Sequence, residues 1–295
     1  MKYLKYTIAF VAATLAFIGC EKHDMSFADS DPVGNNAMFQ IGYFVPKAAG
    51  TTTRIDSCYL NGKLAHGATG AGAVAVNSIF PNGVPAGSAA SVTQATVSTR
   101  YFSVPSGPVT ITFYNADAVM YEQTINLSSG RYIVIVSDLE KAPTVFDAEY
   151  PFVVNPGTPQ LSTFDSDSLA TIRFYNFAFK GNASTPYPGK IQYQWCHDKS
   201  KGATGRGGAD GNWQNIGEPV GFGEATVRQQ VQVWKETFNS SGNEQLWFRG
   251  IDEDGNVVIA NDYWTTYIGT GMNHIYRGII GGSPKAGITL WGSKR

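Results

Sequence analysis

Charge is what this chain has least of. Only 15% of its 295 residues are Asp, Glu, Lys or Arg, against about 25% in an average soluble domain. The 22 basic and 23 acidic residues leave a net charge of −1, which gives no electrostatic footprint for nucleic acid. Cysteine is nearly as scarce. Cys20, Cys58 and Cys196 are too few to form a disulfide framework. The four histidines, His23, His66, His197 and His274, stand at no metal-ligand spacing, and neither HExxH nor paired CxxC occurs. No metal and no cofactor are therefore expected. No segment of twelve or more residues carries a 3.6-residue period, which argues against a helical body. Tryptophan is missing from the first 194 residues, and all six lie beyond them.

Apolar and aromatic residues are plentiful, at 43% and 13%. A chain of this kind buries a core rather than staying disordered. Its length allows one large or two ordinary domains.

The first twenty residues read as an address. Lys2 and Lys5 precede an apolar run over 6–18 that ends in Gly19-Cys20. Thirteen residues are too short for a hydrocarbon core that needs roughly 20, so residues 1–19 are expected to be a signal peptide. The segment FIGC at 17–20 resembles a bacterial lipobox, which implies acylation of Cys20, the predicted lipid-attachment residue. Two or more acyl chains hold a protein to a membrane where one does not. Residues 20–36 are polar and aperiodic, as suits a flexible tether. Glu21 and Asp24, just after the cysteine, resemble the early acidic residues of Gram-negative outer-membrane lipoproteins, on the cell surface or the periplasmic face.

Strand signals fill the rest. They run over 39–45, 54–60, 101–104, 109–114, 120–127 and 132–136, then over 171–177, 191–195, 227–234, 246–251, 257–264 and 274–280. Asn61-Gly62 and the segment DEDGN at 252–256 supply hairpin turns. Residues 142–168 hold four prolines and no sustained alternation, and read as an extended connection. The fold predicted is all-β: two tandem antiparallel β-sandwich, Ig-like domains over 37–141 and 169–295, joined by a linker at 142–168.

The segments YFSVPSG at 101–107, SSGRYIVIV at 128–136, ATIRFYN at 170–176 and GMNHIY at 271–276 carry a family resemblance. The chain resembles, over most of 38–290, the bacterial extracellular family called domain of unknown function 4397, often found in tandem on lipoproteins. The resemblance implies no catalytic residue.

Reactive constellations are few. Cys196-His197-Asp198 contains triad residue types, but strand neighbours point to opposite faces and do not converge. The loop GATGRGG at 202–208 has no Lys-Ser/Thr after it and opens no helix, as a phosphate cradle requires. The DEDGN segment lacks calcium-loop spacing, with Tyr263 where a glutamate is needed. Glu218, Glu224 and Asp262 are carboxylate candidates for glycoside hydrolysis, with no motif around them.

The tryptophans are the feature that asks for a function. Trp195 shares a face with Ile191 and Tyr193 and is expected in the core. Trp213, after the glycine-rich loop, and Trp234, on the Gln/Arg face of its strand, are the predicted ligand or partner contacts. The expected function is a non-catalytic, lipid-anchored cell-envelope protein that presents a binding or structural surface, an adhesin-like accessory. The alternative is a glycan-binding lipoprotein of a nutrient-capture system; a glycosidase ranks third. The partners expected are the membrane, through the anchor, and a glycan or an envelope protein.

Overall fold

The computed structural model describes residues 34–47, 57–67, 84–85, 102–115, 117–148, 169–180, 185–199, 207–233, 243–267, 271–280 and 287–293. Cys20 and Trp234, the signal segment and residues 20–33 of the expected tether lie outside them, and Asn36, the last tether residue expected, opens a strand. Every described segment with regular structure is a strand, so the fold is all-β. The first ten strands are β1 (Asn36–Tyr43), β2 (Pro46–Lys47), β3 (Ser57–Leu60), β4 (Lys63–Gly67), β5 (Val84–Pro85), β6 (Phe102–Pro105), β7 (Gly107–Asn115), β8 (Ala118–Leu127), β9 (Gly130–Val136) and β10 (Thr144–Asp147). The second ten are β11 (Leu169–Lys180), β12 (Thr185–Pro186), β13 (Gln192–His197), β14 (Gln214–Asn215), β15 (Glu224–Ala225), β16 (Gln229–Gln232), β17 (Asn243–Ile251), β18 (Val257–Tyr267), β19 (Gly271–Ile280) and β20 (Gly287–Ser293).

The topology repeats. In the first half one sheet runs β4-β3-β7-β8 and the other β10-β9-β1-β6. Adding ten to each number reproduces the second half: β14-β13-β17-β18, and β20-β19-β11 with β16 paired to β11. The short strands β12 and β15 also pair with β11. Pairing is antiparallel apart from one parallel pair in each half, β1 with β9 and β11 with β19, and the separate short pair β2 with β5. Thr144–Asp147, inside the expected linker, is a strand hydrogen-bonded to β9.

Each half closes its two sheets on a core of its own. Phe39, Ile41 and Tyr43 of β1 meet Ile111 and Phe113 of β7 and Cys58 of β3. Ile172 and Phe174 of β11 meet Tyr193 and Trp195 of β13 and Phe248 of β17. Trp195 is buried, as its alternation predicts. A third cluster, with Ile133, Ile135 and Phe44 from the first half and Tyr175, Phe177 and Ile275 from the second, joins the two β10-β9-β1-β6 and β11-containing sheets by their other faces. These are inner sheets, each covered on both sides, and the described strands stack in four layers. Strands buried on both faces lose their polar alternation. Residues 133–136 (IVIV) are accordingly buried throughout. All the described residues belong to one compact unit.

The shared layer is aromatic. Phe44 packs edge-on to Phe177 at 5.5 Å, and Phe146 packs edge-on to Tyr175 at 4.9 Å. Arg173 donates to the Asp147 carbonyl oxygen at 2.8 Å and to that of Thr226 at 2.9 Å. Aromatic pairs such as Phe44–Phe177 and Phe146–Tyr175 add about 0.5–1.5 kcal/mol each beyond the area they bury.

The predicted turns form. Asn61 (φ 51°) and Gly62 (φ 75°) both take left-handed backbone, as a type I′ hairpin requires. Asp252 accepts from the Asp254 and Asn256 amides at 3.0 and 2.8 Å, which closes the β17–β18 hairpin. Those bonds, with the Asn256 side chain foremost, hold its carboxyl below the ordinary carboxylate range. Cys58 and Cys196 are buried free thiols. They lie in the two outer sheets, the first and fourth layers.

Candidate binding face on the second outer sheet

The sheet β14-β13-β17-β18 has one face on the second core. Its other face is turned away from every described layer. Alternation decides which residues stand there. On β13, Tyr193 and Trp195 point in, so Gln192, Gln194 and Cys196 are on the other face, where all three are nevertheless buried. On β17, Leu246 and Phe248 point in, so Gln245, Trp247 and Arg249 point out. Register then sets the rows. Gln194 lies opposite Arg249 on one side and Asn215 on the other, and Cys196 lies opposite Trp247, which faces Tyr263 of β18.

Trp213 enters this face from the loop before β14. It is half-buried, and the Arg249 guanidinium lies over its ring, 4.2 Å from the centroid. Arg249 Nε donates to Gln194 Oε1 at 2.8 Å, and Gln194 Nε2 donates to Asn215 Oδ1 at 2.8 Å. The indole is thus set by a row of polar groups that crosses three strands. Partial burial lowers the Arg249 pKa from its ordinary value.

Trp247 is fixed by a second set of contacts. Its Nε1 donates to Asp198 Oδ2 at 2.6 Å, and the Tyr263 ring lies 5.4 Å away at a tilt of 56°. The same Asp198 carboxylate accepts from the Gly207 amide at 2.9 Å, which ties the end of the glycine-rich loop to β13. Most of that loop, 200–206, lies outside the described residues. Cys196, opposite Trp247, is fully buried, and that burial pushes its thiol up to about 11. It is protonated at neutral pH and is no thiolate nucleophile.

The predicted site residues fare differently. Trp213 is on the face, while Cys20 and Trp234 are outside the described residues. Cys196, His197 and Asp198 do not converge: His197 turns to the core side and packs edge-on to Trp195 at 5.1 Å, while Cys196 and Asp198 stand on the opposite face, where Asp198 binds Trp247. The three carboxylate candidates are exposed and not grouped. Glu224 is on an inner sheet and accepts from the Gly221 amide, whereas Asp262 is on the outer sheet and accepts from the Tyr263 amide. Among the described residues no three His, Cys, Asp or Glu side chains gather as metal ligands, and no helix is long and apolar enough to cross a membrane. Trp247, Arg249, Gln194 and Tyr263 were not singled out by sequence reasoning, although the alternation Gln245-Leu246-Trp247-Phe248-Arg249 marks the outward pair.

Compared with known proteins, the chain matches no family model and no curated protein.

Proposed function

We propose that this is a non-catalytic, lipid-anchored protein of the bacterial outer membrane. In this reading Cys20 is acylated, the residues from there to the start of β1 are the tether, and two tandem Ig-like sandwich domains form the body. Its role is to present a binding surface, and that surface is the outward face of the β14-β13-β17-β18 sheet. The observation that carries the reading is the pair of part-exposed indoles, Trp213 and Trp247, each held in place by polar side chains on the outermost layer. Aromatic rings with a polar handle suit recognition because they offer large rigid contact area. The repeated strand order is consistent with tandem copies of the family called domain of unknown function 4397.

The anchor is tested by Cys20→Ala. The variant is expected in the soluble fraction of lysed cells, and the parent in the membrane fraction. A variant that stays with membranes contradicts the anchor.

A further inference from the structure

The face described above also has a chemistry, and the inference here rests on its being a binding face. We infer that it binds a neutral glycan, with sugar rings seated on Trp213 and Trp247 and a hydroxyl bonded to the neighbouring Asn215 amide.

Three observations lead there. The first is rigidity. Arg249 fixes the Trp213 ring from one side at 4.2 Å, and Asp198 fixes the Trp247 indole nitrogen at 2.6 Å. Rings already immobilised lose little entropy when a ligand lands on them. The second is spacing. Arg249, which carries Trp213, is two residues from Trp247 on one face of β17, about 7 Å along the strand. The two indoles are thereby tied to successive outward positions of one strand. The third is charge. The guanidinium of Arg249 is engaged by the Trp213 ring and by Gln194, and the carboxylate of Asp198 by Trp247 and Gly207. Asp210 adds a second carboxylate beside Cys196, itself held by the Asn212 amide and side chain, so each of these charges is already engaged by the protein. Gln194 is buried and spent on Arg249 and Asn215, but Asn215 is exposed and its amide nitrogen can donate to a hydroxyl. Flat C–H surface with hydroxyls at its rim is what a pyranose presents, and it matches an indole bordered by such an amide.

The test uses the full chain carrying Cys20→Ala, titrated with cellohexaose, laminarihexaose, mannohexaose and the anionic hexagalacturonate, with tryptophan fluorescence as the readout. At least one neutral hexasaccharide should give a saturable change, and its Kd should weaken tenfold or more in Trp213→Ala and in Trp247→Ala. Trp213→Tyr should retain it. Unchanged far-ultraviolet circular dichroism certifies that each variant is folded. Binding of hexagalacturonate alone, of no hexasaccharide, or undisturbed by both alanine variants overturns the inference. A photo-crosslinking residue at Gln214, used in whole cells, separates the two levels. With no sugar bound, an adduct to an envelope protein that Trp213→Ala abolishes overturns the glycan and keeps the binding face. With neither sugar nor adduct, both fall.

Discussion

His274 is buried completely among Tyr193, Phe248 and Trp264. Its Nδ1 meets the Tyr193 hydroxyl at 2.9 Å, and its Nε2 has no partner among the described residues. Desolvation of the cation lowers its pKa from 6.5 to about 3. An unfolded chain protonates this ring near pH 6.5, and the folded chain does so only near pH 3. Between those values the unfolded state binds more protons, so stability falls as pH drops. The loss is about 1.4 kcal/mol per pH unit at full slope, or about 2 kcal/mol between pH 7.5 and pH 5. Denaturant titrations at the two pH values should show it, and His274→Gln should remove that part of the slope. An equal pH dependence in the variant contradicts the assignment. Gly250 is a second sensitive position. A Cβ there would stand 2.7 Å from Ile259 Cδ1 and 2.9 Å from Ile191 Cγ2, inside the second core. Gly250→Ala should therefore cost about 1–3 kcal/mol by overpacking, and an unchanged denaturation midpoint would refute the close approach.

At the scale of strands, the inner sheets depend on residues that face the shared layer. Phe177 is fully buried and touches Phe44, Phe146 and Phe222. Phe177→Ala should destabilise by about 3–5 kcal/mol. A loss under 1 kcal/mol, read from chemical denaturation, would mean that this contact layer does not form in solution. Much of this scale was legible beforehand. Residues 191–195 alternate because Ile191, Tyr193 and Trp195 face the second core, and Asn61-Gly62 and 252–256 carry their own turn chemistry. Val231 and Val233 are buried and Gln230 and Gln232 exposed, as their parity predicts. The strand Thr144–Asp147 was hidden by its proline-rich surroundings. The third core was hidden for a different reason. A run such as 133–136 signals burial on both sides but names no partner, and only the sheet stacking brings Ile133 and Ile135 to Phe177. The binding face was half legible. Period-2 alternation places Trp247 and Arg249 outward, but nothing local pairs Arg249 with Trp213, since that contact crosses from a loop to a strand 36 positions on.

For the whole molecule, the central claim is that two repeated pairs of sheets act as one body through the layer they share. Two cores alone would allow independent unfolding. An apolar layer containing Phe44, Ile133, Ile135, Tyr175, Phe177 and Ile275 couples them, because separating the halves exposes all of these side chains to water. Fixed halves also give the outer sheet a fixed aspect relative to the other three layers, which is what a displayed face requires. Differential scanning calorimetry of the full chain carrying Cys20→Ala tests this most directly. The account predicts one transition, with calorimetric and van't Hoff enthalpies that agree. Two resolved transitions, each assignable to one half, would contradict it.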